Sequence, residues 1–317
     1  MPKESPAHKT FVGATSRESL TDVLVSAPST ARDYPAHDGS RQTASASVLS
    51  SLPLMFLFGS SAGTHPTFVP DEETRHWLAQ GLQAVIAQLG EPALRPQWLT
   101  GTPAKGVRAP RDLDSLFDFI CAAQEQVGQA DVEFTLVDLQ PGLPPVPPGF
   151  APIGDPTGHL LHTFARAQEL VLVVAPQLFK VPSLLLGHVA RELGRMGLWH
   201  APEQSPAVVE LDSETAAELA GIALGMGTWV ANGAYLFNNA CCGGGCGIDL
   251  GSVRAALSMP EACYALGLDA QRKGLGRRHA AKVLESTQAA ALKQSWDACT
   301  PHISALPAAR TAGSLHA

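Results

Sequence analysis

The sequence predicts a mainly helical α+β fold with a small sheet ahead of one central helix. Three observations carry that expectation. Apolar residues recur at helical spacing through 71–89, 113–128, 184–199, 212–237, 259–273 and 277–299. Short alternating or apolar runs at 132–137 (VEFTLV), 158–164 (GHLLHTF) and 170–174 (LVLVV) read as strands. The chain has 317 residues, of which 45% are hydrophobic and only 16% charged, enough to bury a sizeable core.

Taken in order, residues 1–50 read as a disordered leader of Ser, Ala, Thr and Pro with scattered charges. No sustained apolar stretch follows Met1-Pro2-Lys3-Glu4, so no secretory signal is expected. The run 52–58 (LPLMFLF) is too short for a membrane span and reads as a strand or packed segment. Asp71-Glu72-Glu73 opens a helix that Gly90 stops. Lys105, Arg108 and Arg111 sit in a loop, after which Asp112 or Asp114 caps the next helix. A proline-rich connector, PGLPPVPPG, separates the first strand from the other two. His159 and His162 are read as structural, on opposite strand faces. Pro182 leads into the central helix, Asp212 caps its successor, and Gly274-Leu275-Gly276 turns the chain into a long amphipathic helix over 277–299. Residues 300–317 read as a flexible tail, leaving one domain over 51–299.

Composition also narrows the function classes. A net charge of −7 gives no nucleic-acid footprint, and no stretch suits a membrane span. A cytoplasmic location with reduced thiols is expected. Cys241, Cys242 and Cys246 lie in a glycine run without the paired spacing of a zinc site.

The stretch 184–199, LLLGHVARELGRMGLW, is apolar except for His188, Arg191, Glu192 and Arg195, spaced i, i+3, i+4 and i+7 on one face. Gly187 and Gly194 weaken the helix but allow close packing. In the next helix Glu214 lies in the first turn, while Glu218 lies a turn deeper among Ala217, Leu219, Ala220 and Ile222. A carboxylate there needs a partner. The expectation is that Arg191 or Arg195 pairs with Glu218.

LLLGHVARELGRM followed by DSETAAELAGIALGMGTWVANG resembles the core of zincin-type metallopeptidases, and more closely a group of bacterial zincin-like proteins of unknown role. The similarity extends over roughly residues 130–297. It places Arg191-Glu192-Leu193-Gly194-Arg195 on the HExxH positions and Glu218 on the downstream acidic position. It also implies an edge strand before the helix, over 170–174, that can align a peptide. The departure is decisive. Arginine offers no lone pair and stays protonated, so Arg191 and Arg195 cannot ligate zinc. Glu192 is then a vestigial general base with no metal-bound water to activate.

The leading expectation is a non-catalytic metallopeptidase homologue acting as a binding or regulatory module. It needs no cofactor and takes a peptide or protein partner. One alternative is a metal-dependent hydrolase with a shifted zinc or similar site on His188, Glu192 and Glu214 or Glu218. Another is an anion-binding enzyme using Arg191 and Arg195 as a clamp.

Overall fold

The computed structural model describes residues 67–139, 146–201, 205–234, 253 and 255–310. The leader, the 52–58 run, most of the proline-rich connector and the three clustered cysteines lie outside the described residues. All described residues fall within one contact-defined unit.

The fold is α+β and mostly helical. Helix α1 (Glu72–Leu89) is capped by Asp71, which accepts from the Thr74 N–H, and ends at Gly90. It buries Leu78, Leu82, Val85 and Ile86, with Leu89 at its end. A single turn, α2 (Glu91–Leu94), follows. Asp112, rather than Asp114, caps α3 (Leu113–Val127), through a reciprocal capping box with Ser115.

Among the described residues, four strands make one mixed sheet: β1 (Thr135–Asp138), β2 (Ala151–Pro152), β3 (Leu161–Arg166) and β4 (Glu169–Val174), in the order β1-β4-β3-β2. Strand β4 pairs antiparallel with β3, Thr163 opposite Leu172, and parallel with β1, Leu136 opposite Leu172. The strand expected at an edge is therefore an inner strand. Both sides of β4 are hydrogen-bonded, and no peptide can add to it as a further strand.

A turn of 3-10 helix (Pro176–Lys180) leads from β4 into α4 (Pro182–His200), the central helix, which starts with Pro at its first position. A one-turn helix, α5 (Pro206–Val209), precedes α6 (Ser213–Gly221), capped by Asp212. Helices α4 and α6 cross closely because Gly194 and Gly221 face each other. A methyl group on Gly194 would collide with the Ala217 carbonyl, and one on Gly221 would lie 2.6 Å from the Ala190 carbonyl.

Helix α6 runs into a π-type turn (Ile222–Met226) and then α7 (Gly227–Gly233). Gly225 breaks the helical backbone with φ of 92°, a value that glycine alone adopts without strain. Its carbonyl receives the Leu99 N–H, and the Thr228 hydroxyl donates to the Leu99 carbonyl, so the segment before α3 docks on this turn. A π-turn leaves carbonyls without their usual helical donors. That of Ala223 accepts from Arg272 and from Lys273, at 3.1 Å each. Both cations grip Asp269, in the last turn of α8 (Met259–Arg272), and all three side chains are shut off from solvent. Burial presses the Lys273 pKa down, against the pull of Asp269. Removing the carboxylate strands two buried cations. Asp269→Ala is therefore expected to cost about 3–5 kcal/mol, read from urea unfolding at neutral pH. A loss below about 1 kcal/mol would contradict this account of the turn.

The long helix expected over 277–299 is two helices, α9 (Arg277–Ala280) and α10 (Ser286–Ile303). Asn232 of α7 explains the break. Its side chain donates to the Val283 carbonyl and accepts from the Glu285 N–H, so the backbone between the two helices bonds outward instead of along an axis. The expected flexible tail is also corrected in part. Helix α10 continues to Ile303, Leu306 is buried, and the Arg310 N–H donates to the Leu94 carbonyl while its side chain pairs with Glu91. Residues 311–317 lie outside the described residues. Among the described residues, no helix is long and apolar enough to cross a membrane.

Candidate functional site

The polar stripe of α4 is buried, not solvated. Glu192 is 0% exposed, Arg191 2%, and His188 and Arg195 3% each. Sheet and helix meet along this stripe, because β3 lies against α4 and presents Thr163 and the Leu161 carbonyl to it.

Glu192 is the centre. One carboxylate oxygen accepts from the Thr163 N–H at 3.0 Å, the Thr163 hydroxyl at 2.7 Å and Arg195 Nε at 3.0 Å. The other accepts from Arg191 Nε at 3.0 Å. Burial alone would raise its pKa. Arg195 and Arg191 override that and hold the carboxyl well below the usual range.

Glu214 is the second anion. It receives Arg195 Nη2 at 2.6 Å, lies 3.7 Å from Arg191 Nε, and meets His159 Nε2 at 2.9 Å. Burial opposes its charge, but the His159 hydrogen bond and Arg195 lower its pKa to about 2. The loop after β2 closes over this pair. The Ile153 carbonyl accepts from Arg195 Nη1 at 2.6 Å, and Gly154, with φ of 87°, lies where a side chain would strike both Arg195 and Glu214.

The remaining contacts close the network. Arg191 Nη2 donates to the Leu161 carbonyl at 3.0 Å and to His188 Nδ1 at 2.6 Å, so His188 carries its proton on Nε2. Burial, reinforced by Arg191, holds the His188 pKa well below the ordinary value. Two guanidinium groups thus face two carboxylates, and the four charges cancel.

The predicted pairing of either arginine with Glu218 is not what forms. Glu218 is buried in α6, but its two oxygens accept the Ala256 N–H at 3.0 Å and the Leu257 N–H at 2.9 Å, pinning the chain ahead of α8. Burial raises its pKa, with Arg191 and the two backbone donors opposing. The carboxylate that meets the arginines is Glu214, one turn earlier on the same helix.

The reading of His159 and His162 as non-convergent is also corrected. His159 precedes β3, so strand alternation does not govern it. Its ring lies 5.8 Å from that of His162, nearly parallel, and 6.0 Å from that of His188. Neither ring nitrogen of His162 has a hydrogen-bond partner, and burial lowers its pKa to about 4. Thr163 carried no signal in the sequence, because it joins the site through strand pairing; His159, read as structural, joins it through the loop ahead of β3.

Compared with known protein families, curated proteins and solved structures, the chain matches none.

The chemistry open to these residues follows from their protonation and contacts. Glu192 is too weak a base to take a proton at neutral pH, and four donors occupy it. Arg191 and Arg195 bond to Glu192, Glu214, His188 and two backbone carbonyls, so an added anion would compete with two carboxylates already in place. Arg191 bonds both His188 and Glu192, so a cation joins two members of the shifted metal site. Among the described residues, no three His, Cys, Asp or Glu side chains are arranged to hold a metal ion.

Proposed function

We propose that this chain is a zincin-like scaffold whose catalytic centre has been converted into a structural ion-pair network, leaving a binding or regulatory module for a peptide or protein partner. The observation that carries the reading is the inward direction of Arg191 and Arg195. Both guanidinium groups bond to Glu192, and both lie within 4 Å of Glu214. They stand where HExxH would supply imidazoles, and zinc does not fit the residues present. The partner's seat is not along β4, whose two sides are taken.

The reading has a gain-of-function test. Arg191→His with Arg195→His would restore two imidazoles at i, i+4 beside Glu192, with Glu214 in reach as a carboxylate ligand. The double variant is expected to hold zinc at one equivalent by elemental analysis, and the unaltered protein none. Stoichiometric zinc in the unaltered protein overturns the non-catalytic reading. A folded double variant that takes up no zinc overturns the zincin-like frame.

A further inference from the structure

The outer side of α1 is an unusual surface and shares no residue with the arginine network. From Trp77 to Gly90 the chain has no charged residue, in a protein of net charge −7. Leu78, Leu82, Val85 and Ile86 take the buried side of that stretch. On the opposite side Trp77, Gln80, Gln83 and Ala87 are exposed, and Ala84 is half-buried among them. The helix therefore turns an uncharged strip toward water, where a solvated face ordinarily carries charge.

Two large apolar side chains are exposed among the described residues, Trp77 at 39% and Val209 at 64%, and both belong to this region. Helix α5, which carries Val209, packs along α1. The Ser205 N–H donates to Gln88 Oε1, and a methyl group on Gly81 would touch Leu211. Gly81 and Gln88 lie four residues on from Trp77 and Ala84, so α5 runs beside the line joining those two side chains. One exposed apolar residue is ordinary, but two on adjoining uncharged elements make a patch.

The strip is complementary to itself. Trp77 and Ala84 are two helical turns apart, so a bulky ring and a bare methyl share one side of the helix. When two such helices meet antiparallel about a two-fold axis beside Gln80, each Trp77 ring falls on the Ala84 of the other copy. Glu73, exposed at the rim, then falls opposite Gln88 and not opposite its own counterpart. Copies of an acidic chain repel where their charged surfaces meet, and along this strip no charge faces a like charge. We infer that a second copy of this chain docks here, in an isologous dimer with α1 antiparallel to α1, Trp77 over Ala84, and Val209 flanking the contact. One helix face and one short helix make a small interface, so a Kd on the order of 10 µM is expected.

The test is sedimentation velocity of the full chain from about 1 to about 200 µM, which spans that Kd. A monomer–dimer equilibrium is expected. Trp77→Glu and Ala84→Glu each place a charge in the contact and should raise the Kd at least about tenfold, with the far-ultraviolet circular dichroism unchanged. Exchanging the two residues is the sharper probe. Trp77→Ala alone should weaken the dimer, and Trp77→Ala with Ala84→Trp should restore it, because in an antiparallel pair each ring again meets a methyl. A chain that stays monomeric over the whole range overturns the inference, whatever else covers the strip. A dimer that tolerates both glutamates joins through another face and overturns it too. So does a folded exchange variant that associates no more tightly than Trp77→Ala; should that variant not fold, the two glutamate variants decide.

Discussion

Glu192→Ala is expected to destabilise the protein by at least about 3–5 kcal/mol, because it removes the carboxylate to which both buried arginines hydrogen-bond. The side chain is wholly buried and receives four hydrogen bonds, two of them from guanidinium groups. Without it, Arg191 and Arg195 keep their charges and have only Glu214 to answer them, and Thr163 loses the acceptor for its N–H and its hydroxyl. The loss is a large share of the stability of an ordinary domain. Glu192→Gln should recover only part of it, since the amide cannot balance a cation. A paired substitution separates this electrostatic account from simple loss of packing. Arg191→Met with Glu192→Leu removes one charge of each sign and leaves Arg195 facing Glu214, a neutral pair. That double variant should be more stable than Glu192→Ala alone, as when a buried ion pair is replaced by apolar groups of similar volume. Urea unfolding of the three proteins at neutral pH gives the comparison. A loss near 1 kcal/mol for Glu192→Ala, or a double variant no better than the single, would show that the network does not hold sheet and helix together.

The same network shows where sequence reasoning reached and where it stopped. Local signals held. Asp71 and Gly90 bound α1 to within one residue, Asp212 caps α6, and the two strand runs after the connector pair as β3 and β4. The spacing of His188, Arg191, Glu192 and Arg195 placed them on one face, and that face is the buried one. What failed depended on distant chain. Glu214 and Glu218 share a face of α6, and nothing near them says which one meets the arginines. The choice is made by residues 256 and 257, whose N–H groups take Glu218. Sequence periodicity runs unbroken through 277–299, and the break comes from Asn232, some fifty residues earlier. The Asp269, Arg272 and Lys273 cluster reads as an ordinary charged helix end. It is buried because the π-turn at Gly225 offers it the Ala223 carbonyl. In each case an unsatisfied backbone group on one element captured a side chain from another, a pairing that periodicity cannot express.

Acid should unfold this protein in two successive windows. His162 is buried, has no hydrogen-bond partner on either ring nitrogen, and has a pKa lowered from 6.5 to about 4. The unfolded chain therefore binds a proton that the folded one refuses between those values. Stability contributed by the neutral ring is fully present above pH 6.5 and falls as pH drops toward 4, by on the order of 3 kcal/mol. His188, held low by burial and by Arg191, adds loss of the same sign from the same starting point. Glu214 opens the second window. Its pKa falls from 4.5 to about 2, so the stability it contributes is complete above pH 4.5 and lost as pH falls through 2. Glu192 extends that loss further into acid. Glu218 opposes them, because burial raises its pKa and its protonation on acidification favours the folded state above 4.5. Two imidazoles against one carboxylate set the sign above pH 4.5. The urea midpoint should drop between pH 7 and 4.5 at constant m-value, and drop again below it. His162→Phe should flatten the first fall, since it leaves an apolar ring beside Phe164, which His162 already meets at 5.3 Å between centroids. Glu218→Gln should steepen the same fall by removing the opposing group. A midpoint that stays level from pH 7 to 4.5 in the unaltered protein would mean that His162 takes its proton without opening the fold. The buried histidines would then have water or a carboxylate within reach when charged.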